Sequence, residues 1–289
     1  MRPAALRLRV GGLTLAVRAA RPARHLQAPA PYRAFLAQAG GDIRLELVES
    51  EAPKGGELLF DSGGPWKVFR HGRGRLYTFE TPVLDPTLYK AVTIDARLRS
   101  GRLFVPPQRG RLRPRWALAH PLDELLFQHR LAREGALEVH ACGLVTEGRA
   151  LLFSGQSGAG KSTTARLWRR ARAGVRVLSD DRIVLRERRG RFWAFGTPWH
   201  GDGMLAAPQA RPVHALFFLR HAPRHELRRL APAEAAARLF ARSFPPTWDG
   251  PALARVLATC GRVAGRVPSY DFGFAADESA VSFIRDRLP

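Results

Sequence analysis

The chain has 289 residues, 45% of them hydrophobic, a globular composition with room for one large domain or two of ordinary size. Lys and Arg number 47 against 25 Asp and Glu, a formal net charge of +22. No apolar run approaches the roughly 18 residues that span a bilayer, the Arg-studded N-terminus lacks a signal-peptide core, and Cys142 and Cys260 are too few for a disulfide framework and lack metal-site spacing.

Residues 1–115 read as β-rich. Leu6 to Val17 alternates around Gly11-Gly12, Ile43 to Val48 alternates strictly, and Trp66 to Phe79 reads as a hairpin turning at His71-Gly72-Arg73-Gly74. Leu88 to Leu98 and Leu103 to Val105 are further strands. The Pro/Arg-rich stretch from Pro106 to Pro114 has no periodicity and is the expected boundary between a 1–115 region and a 116–289 domain. Beyond it, Pro121 to Glu134 has helical spacing, and Leu137 to Val145 and Ala150 to Phe153 are strands. Thr163 to Arg172 is a helix, Val175 to Leu178 a strand, and Ile183 to Arg186 with Phe192 to Phe195 a hairpin at Arg189-Gly190. Pro212 to Leu219 is a buried strand, Pro232 to Arg242 and Pro251 to Cys260 are helices, Val267 to Phe274 a strand and Glu278 to Arg287 a last helix.

Between the strand ending at Phe153 and the helix opening at Thr163 runs Ser154-Gly155-Gln156-Ser157-Gly158-Ala159-Gly160-Lys161-Ser162. It fits Gly-x-x-x-x-Gly-Lys-[Ser/Thr], the phosphate-binding loop. Glycines let the backbone turn several N–H groups toward phosphate oxygens, and the helix N-terminus adds its positive dipole end. Lys161 reaches the outer phosphates and the Ser162 hydroxyl ligates Mg²⁺. Thr163 follows within reach of the bound nucleotide. Lysine occurs at only four positions (54, 67, 90 and 161), so one of the four falls where an Arg fork would not fit. The expected ligands are ATP and Mg²⁺.

The basic residues raise nucleic acid as a partner. They are scattered, however, with short clusters only at 109–115, 166–176 and 186–191, and the replacement of Lys by Arg with abundant Ala, Gly and Pro looks like codon bias. Nucleic acid is therefore not the expected partner; an acidic peptide or protein accounts for the charge as well.

Asp180-Asp181 follows the strand ending at Leu178, 19 residues after Lys161. Adjacent aspartates there either cap a turn or bring carboxylates beside the phosphate loop, as metal ligand and as general base. An ABC-type ATPase would place its Leu-Ser-Gly-Gly-Gln signature and acidic strand far downstream, and that signature is missing. Trp199-His200-Gly201-Asp202-Gly203 either borders the site, with His200 or Asp202 touching substrate, or is an ordinary Gly-rich connection. His140, taken alone on an apolar strand, reads as a hydrogen-bonded core histidine.

His140-Ala141-Cys142-Gly143, the loop 155–162, Leu178-Ser179-Asp180-Asp181, Gly196-Thr197-Pro198-Trp199-His200-Gly201 and Val267-Pro268-Ser269-Tyr270-Asp271-Phe272 together resemble the HPr kinase/phosphorylase family. The likeness is to its divergent branch associated with ribosomal, lasso-type peptide natural products, and it covers about residues 120–289. The resemblance implies an α/β fold: a P-loop kinase domain of the HPr kinase and phosphoenolpyruvate carboxykinase type, preceded by a β-rich N-terminal region. It implies transfer of the γ-phosphoryl of ATP to a Ser or Thr hydroxyl of a peptide or protein and leaves a homo-oligomer open, while the missing apolar span and signal core make the cytoplasm the simplest location. By the same likeness one of Asp180 and Asp181 is the base and the other helps Ser162 hold the metal, with His140 near the base to tune or relay its proton; of the two, Asp180 is taken as the base and Asp181 as the metal ligand. Thr163 and Thr164 stand where HPr kinases carry an acidic residue, and the glycine-rich signature of the phosphorylase reaction has no clear counterpart. The expectation is kinase chemistry on a substrate other than HPr. The alternatives are a small-molecule kinase and a nucleotide-binding regulatory protein without transfer.

Overall fold

The computed structural model describes residues 4–20, 26–81, 87–106, 116–171, 174–275 and 277–288. It is a mixed α/β protein of two compact units, Met1–Arg9 with Leu13–Arg130 and Val10–Gly12 with Leu131–Pro289. Of the Pro/Arg-rich stretch Pro106 to Pro114 expected as a boundary, residues 107–114 lie outside the described residues.

The first unit contains β1 (Ala4–Val10), β2 (Leu13–Ala19), α1 (Ala30–Arg33), β3 (Ile43–Val48), β4 (Leu58–Asp61), β5 (Trp66–His71), β6 (Gly74–Thr81), β7 (Thr87–Ile94) and β8 (Ser100–Phe104). Helix α2 (Leu122–Arg133) runs across the division between the units. The strands form one sheet in the order β1-β2-β3-β8-β7-β6-β5-β4, parallel from β2 through β8 and antiparallel from β8 to β4. Period-two alternation puts one set of side chains inside: Ile43, Leu45 and Leu47 of β3 are buried while Arg44 and Glu46 are exposed. Strand β4 was not expected from sequence, because its half-exposed residues form a short edge without an apolar alternation.

The second unit contains β9 (Leu137–Thr146), β10 (Arg149–Ser154), α3 (Lys161–Ala171), β11 (Arg176–Ser179), β12 (Arg182–Arg188), β13 (Arg191–Gly196), β14 (Ala210–His221), β15 (Glu226–Arg229), α4 (Pro232–Phe240), α5 (Gly250–Arg266), β16 (Ser269–Phe274) and α6 (Ser279–Arg285). Successive residues of β10 and β14 feed two cores. Leu152, Leu216 and Phe218 join Leu239, Val256 and Val263 of α4 and α5, whereas Leu151, Phe153 and Phe217 join Leu167, Trp168 and Ile284 of α3 and α6. Strands buried on both faces read as continuous apolar runs, as β10 and β14 do. Helix α5 runs past the expected end at Cys260 to Arg266. Gly261 and Gly265 look like stops but lie on its exposed side, and burial of Val263 and Ala264 outweighs the roughly 1 kcal/mol each glycine costs. Val267 accordingly caps α5 rather than opening β16.

Two long strands change sheets part-way. The first half of β9 pairs with β12 (His140 opposite Arg182), and its second half pairs with β10 (Ala141 opposite Ser154) and with β11 (Gly143 opposite Ser179). Strand β14 likewise pairs with β13 at its start and then runs parallel to β10 and β16. The chain between β11 and β12 is therefore laid against β9 at the level where β10 ends. That segment is Asp180-Asp181.

Candidate phosphate-binding and catalytic site

Strand β10 delivers the loop to the point where β9 splits. Ser154 Oγ donates to His140 O at 2.8 Å, tying the loop's first residue to the strand change. Trp168 of α3, 1% exposed, packs on Phe153 (ring centroids 6.2 Å), and Phe153 stacks on Phe217 of β14 at 4.9 Å. Helix and strand are thereby anchored on either side of the loop. The helix starts at Lys161, two residues earlier than its apolar periodicity indicates, so Lys161 and Ser162 lie in the first turn among N–H groups without helical partners. Gly160 has φ of +101°, and a Cβ there would meet the Phe274 ring at 2.4 Å, so only glycine fits.

Within the loop, Gln156, Ser157 and Gly158 are exposed and Ala159 is buried. Lys161 is 7% exposed, and its Nζ donates to Gly155 O and Gln156 O, both at 3.1 Å, folding the ammonium back over the loop. Burial lowers the Lys161 pKa; Asp181 opposes this, while Arg182 and Arg242 add to it. Ser162 is exposed, Thr163 half-buried. His221, at the end of β14, donates from Nε2 to Gly158 O at 2.9 Å and so steadies the loop's crown.

The two aspartates have different surroundings. Asp180 is 2% exposed. Its Oδ1 accepts from Gly201 N–H at 2.9 Å, and its Oδ2 is buried with no hydrogen-bond partner among the described residues. Asp181 accepts from His140 Nε2 at 2.8 Å through Oδ1 and from the Arg182 guanidinium through Oδ2. Burial works against its ionised form, but the His140 hydrogen bond and the Arg182, His140 and Lys161 charges prevail and hold its pKa below 3.8. Cys142, wholly buried, has its thiol pushed far above the usual range by burial and then by Asp180, with Lys161 acting the other way. Lys161, Asp180, Asp181, His140 and Cys142 thus share one neighbourhood.

The loop 197–203 packs against this segment. Ser179 Oγ donates to Trp199 O at 3.2 Å and Thr197 Oγ1 to Arg182 O at 2.7 Å. A Cβ on Gly203 would meet Asp180 Oδ2 at 2.4 Å, so the free carboxylate oxygen needs a glycine opposite it. His200 is half-buried with Nδ1 against Gly201 O at 2.9 Å, and Asp202 is exposed. The loop's contact with the aspartates runs through the Gly201 backbone and the Gly203 surface, not through those two side chains.

Two further participants carry no motif. Arg182 joins Asp181 to Glu138 (3.5 Å) and lies over the Phe244 ring at 4.2 Å. Arg242 presents its carbonyl to His140 N–H (2.7 Å) and its charge to Lys161, while Arg238 is drawn away by Asp271 (2.5 Å) and Glu234 (2.8 Å). The sequence signal for Arg182 is its position directly after Asp180-Asp181.

The oxygen donors of this region are the Asp180 and Asp181 carboxylates, with the exposed Ser162 hydroxyl in the first turn of α3. That suits a hard cation such as Mg²⁺, which binds through one or two carboxylates with waters and phosphate oxygens completing its sphere. Among the described residues, no cluster of three His, Cys, Asp or Glu is arranged to hold a metal, so an all-protein cage is not what the residues offer. No helix is long and apolar enough to cross a membrane among the described residues.

A family model described as "SynChlorMet cassette protein ScmC" matches residues 124–259, under half of the chain. No curated protein matches it. Among solved structures, the Hpr(Ser) kinase/phosphatase from Coxiella burnetii is similar over 52% of this chain and 94% of its own, at 14% identity and a TM-score of 0.32.

Proposed function

We propose that this chain is an ATP- and Mg²⁺-dependent phosphotransferase whose acceptor is a Ser or Thr hydroxyl of a peptide or protein. The observation that carries the reading is the buried Asp180 carboxylate, one oxygen fixed by Gly201 N–H and the other without a partner, in the neighbourhood of a glycine loop that ends in Lys161. Such a carboxylate is oriented and keeps a free lone pair for an incoming hydroxyl proton.

In this reading the catalytic domain is a P-loop kinase domain. The N–H groups of residues 155–163 cradle phosphate oxygens, and the Lys161 ammonium exchanges the Gly155 and Gln156 carbonyls for a phosphate oxygen. Ser162 and Asp181 would hold Mg²⁺, which would supply charge neutralisation at the transferred group. Asp181 suits a ligand better than a base, because His140 and Arg182 already lower its proton affinity. Asp180 Oδ2 takes the acceptor proton. His140 positions Asp181 and touches no substrate. Positioning and electrostatics supply most of the rate. The finer choice of a ribosomal precursor peptide as acceptor rests on the motif resemblance alone.

The test is transfer from γ-labelled ATP with Mg²⁺ to Ser- and Thr-containing peptides, with wild type and Asp180→Asn side by side. Label on peptide with wild type only is the expected result. Label on a free hydroxyl metabolite instead would make the chain a small-molecule kinase. Tight ATP binding with no label on any acceptor would overturn the reading in favour of a nucleotide sensor.

A further inference from the structure

The exposed face of the first unit's sheet holds a cavity of about 700 Å³, made by none of the residues of the phosphate-loop site. Its floor is small: Ala16 of β2 and Gly101 of β8 let a ligand approach the backbone. The Gly40-Gly41 turn overhangs it, with a Cβ on Gly41 only 3.3 Å from the Arg44 side chain. Around this floor stand Arg7, Arg18 and Arg44, from three adjacent strands.

Their charge is not spent within the fold. Neither the Arg18 nor the Arg44 guanidinium has a hydrogen bond or ion pair among the described residues, and Arg7 donates only to a neutral carbonyl, Gly40 O, at 3.3 Å. The lining carboxylate, Glu46, is 3.4 Å from Arg102. Three cations with one already engaged anion favour a ligand carrying several negative charges. Among the described residues, the lining has no aromatic residue on which a base could stack, a feature that single-stranded nucleic-acid sites use. Guanidinium forks match carboxylates in two-point hydrogen bonds.

The spacing narrows the ligand further. Ala16 is opposite Arg44 in the β2–β3 pairing, and Arg18 lies two residues further along β2. Arg18 and Arg44 are therefore diagonal neighbours on one face, about 7–8 Å apart at their origins. Alternate side chains of an extended chain are spaced about 6.6 Å.

We propose that this cavity binds an extended acidic peptide segment with Asp or Glu at alternate positions, one carboxylate on Arg44 and the next on Arg18. The proposal is independent of phosphate transfer, and its test contains no ATP.

The probe is a fluorescein-labelled peptide of alternating Asp and Gly, titrated with the full chain and followed by anisotropy. An Asn–Gly peptide serves as the neutral control. Two double variants are compared: Arg18→Gln with Arg44→Gln, and, as a charge-matched control, Arg224→Gln with Arg255→Gln on the exposed surface of the second unit. The expected result is a loss of at least about tenfold in affinity for the first pair and for the Asn–Gly peptide, with the control pair binding as wild type. Equal weakening by both pairs would assign the binding to the general charge of +22 and overturn the site. So would equal affinity for the neutral peptide, or displacement of the probe by an oligonucleotide at lower concentration than by unlabelled acidic peptide.

Discussion

Replacing Asp180 by Asn exchanges one oxygen for an amide nitrogen in a side chain that is 2% exposed. The retained oxygen still accepts from Gly201 N–H, now 2.9 Å away, and the amide takes the place of Oδ2 opposite Gly203. A buried polar atom left without a partner costs about 1–3 kcal/mol, and an amide is cheaper to bury than a carboxylate. Folding should therefore gain on the order of 1 kcal/mol, a rise of about 2–4 °C in Tm for a chain of this size. Loss of a positioned base should lower the transfer rate about 10²- to 10⁴-fold. Nucleotide affinity, which the proposed function assigns to the loop and Lys161, should hardly change. Differential scanning fluorimetry, calorimetric ATP titration and initial rates of label transfer measure the three quantities on one preparation. A Tm several degrees below wild type, together with the lost rate, would show that the carboxylate holds the fold; an unchanged rate would remove it as the base.

Gly203→Ala places a methyl group 2.4 Å from Asp180 Oδ2, so we expect at least a tenfold loss of transfer with ATP affinity retained; an unchanged rate would mean that this oxygen is not used. Lys90, fully buried, has its pKa lowered to about 7 by burial, with Asp123 acting in the opposite direction. Between that value and 10.5 the unfolded chain holds a proton that the folded chain releases, so stability rises with pH across this window. Thermal midpoints should increase over it in wild type and stay flatter in Lys90→Met; parallel profiles would count against the shift. Cys142 and Cys260 are both buried, with thiol pKa values raised chiefly by burial, the latter to about 12, so neither should react with a thiol reagent until the chain unfolds. Rapid native labelling of either one would contradict the packing around β9 or α5.

Elements with their own periodicity were legible in the sequence. Ile43 to Val48 alternates because one face of β3 is buried, and the turn glycines Gly11, Gly12 and Gly190 have the positive φ values their residue type suggests, whereas the positive φ of Arg189 is not one its residue type suggests. Strand β15, like β4, was not legible. Glu226–Arg229 is polar and mostly exposed, and it becomes a strand through antiparallel pairing with β16. Such an edge owes its conformation to a neighbour distant in sequence, and single-segment patterns contain no trace of that neighbour.

The site divides along the same line. The candidate phosphate loop is local chemistry, and its residue types and spacing are visible in one stretch. The different surroundings of Asp180 and Asp181 are not, because adjacent residues with one side-chain chemistry are distinguished only by what the fold presents to each. Asp181 meets His140 across the β9–β12 pairing, where β9 leaves one sheet for the other; Asp180 meets the backbone of a loop that returns 21 residues later. Arg182 and Arg242 follow the same rule. With 43 arginines in the chain (47 basic residues less four lysines), no composition or spacing picks out these two. What picks them out is the strand change at His140, which puts β12 on one side of that residue and the end of α4 on the other. A sequence pattern can thus name a carboxylate pair, but the different surroundings within the pair follow from topology, and Asp180→Asn against Asp181→Asn is where the roles proposed for them become measurable.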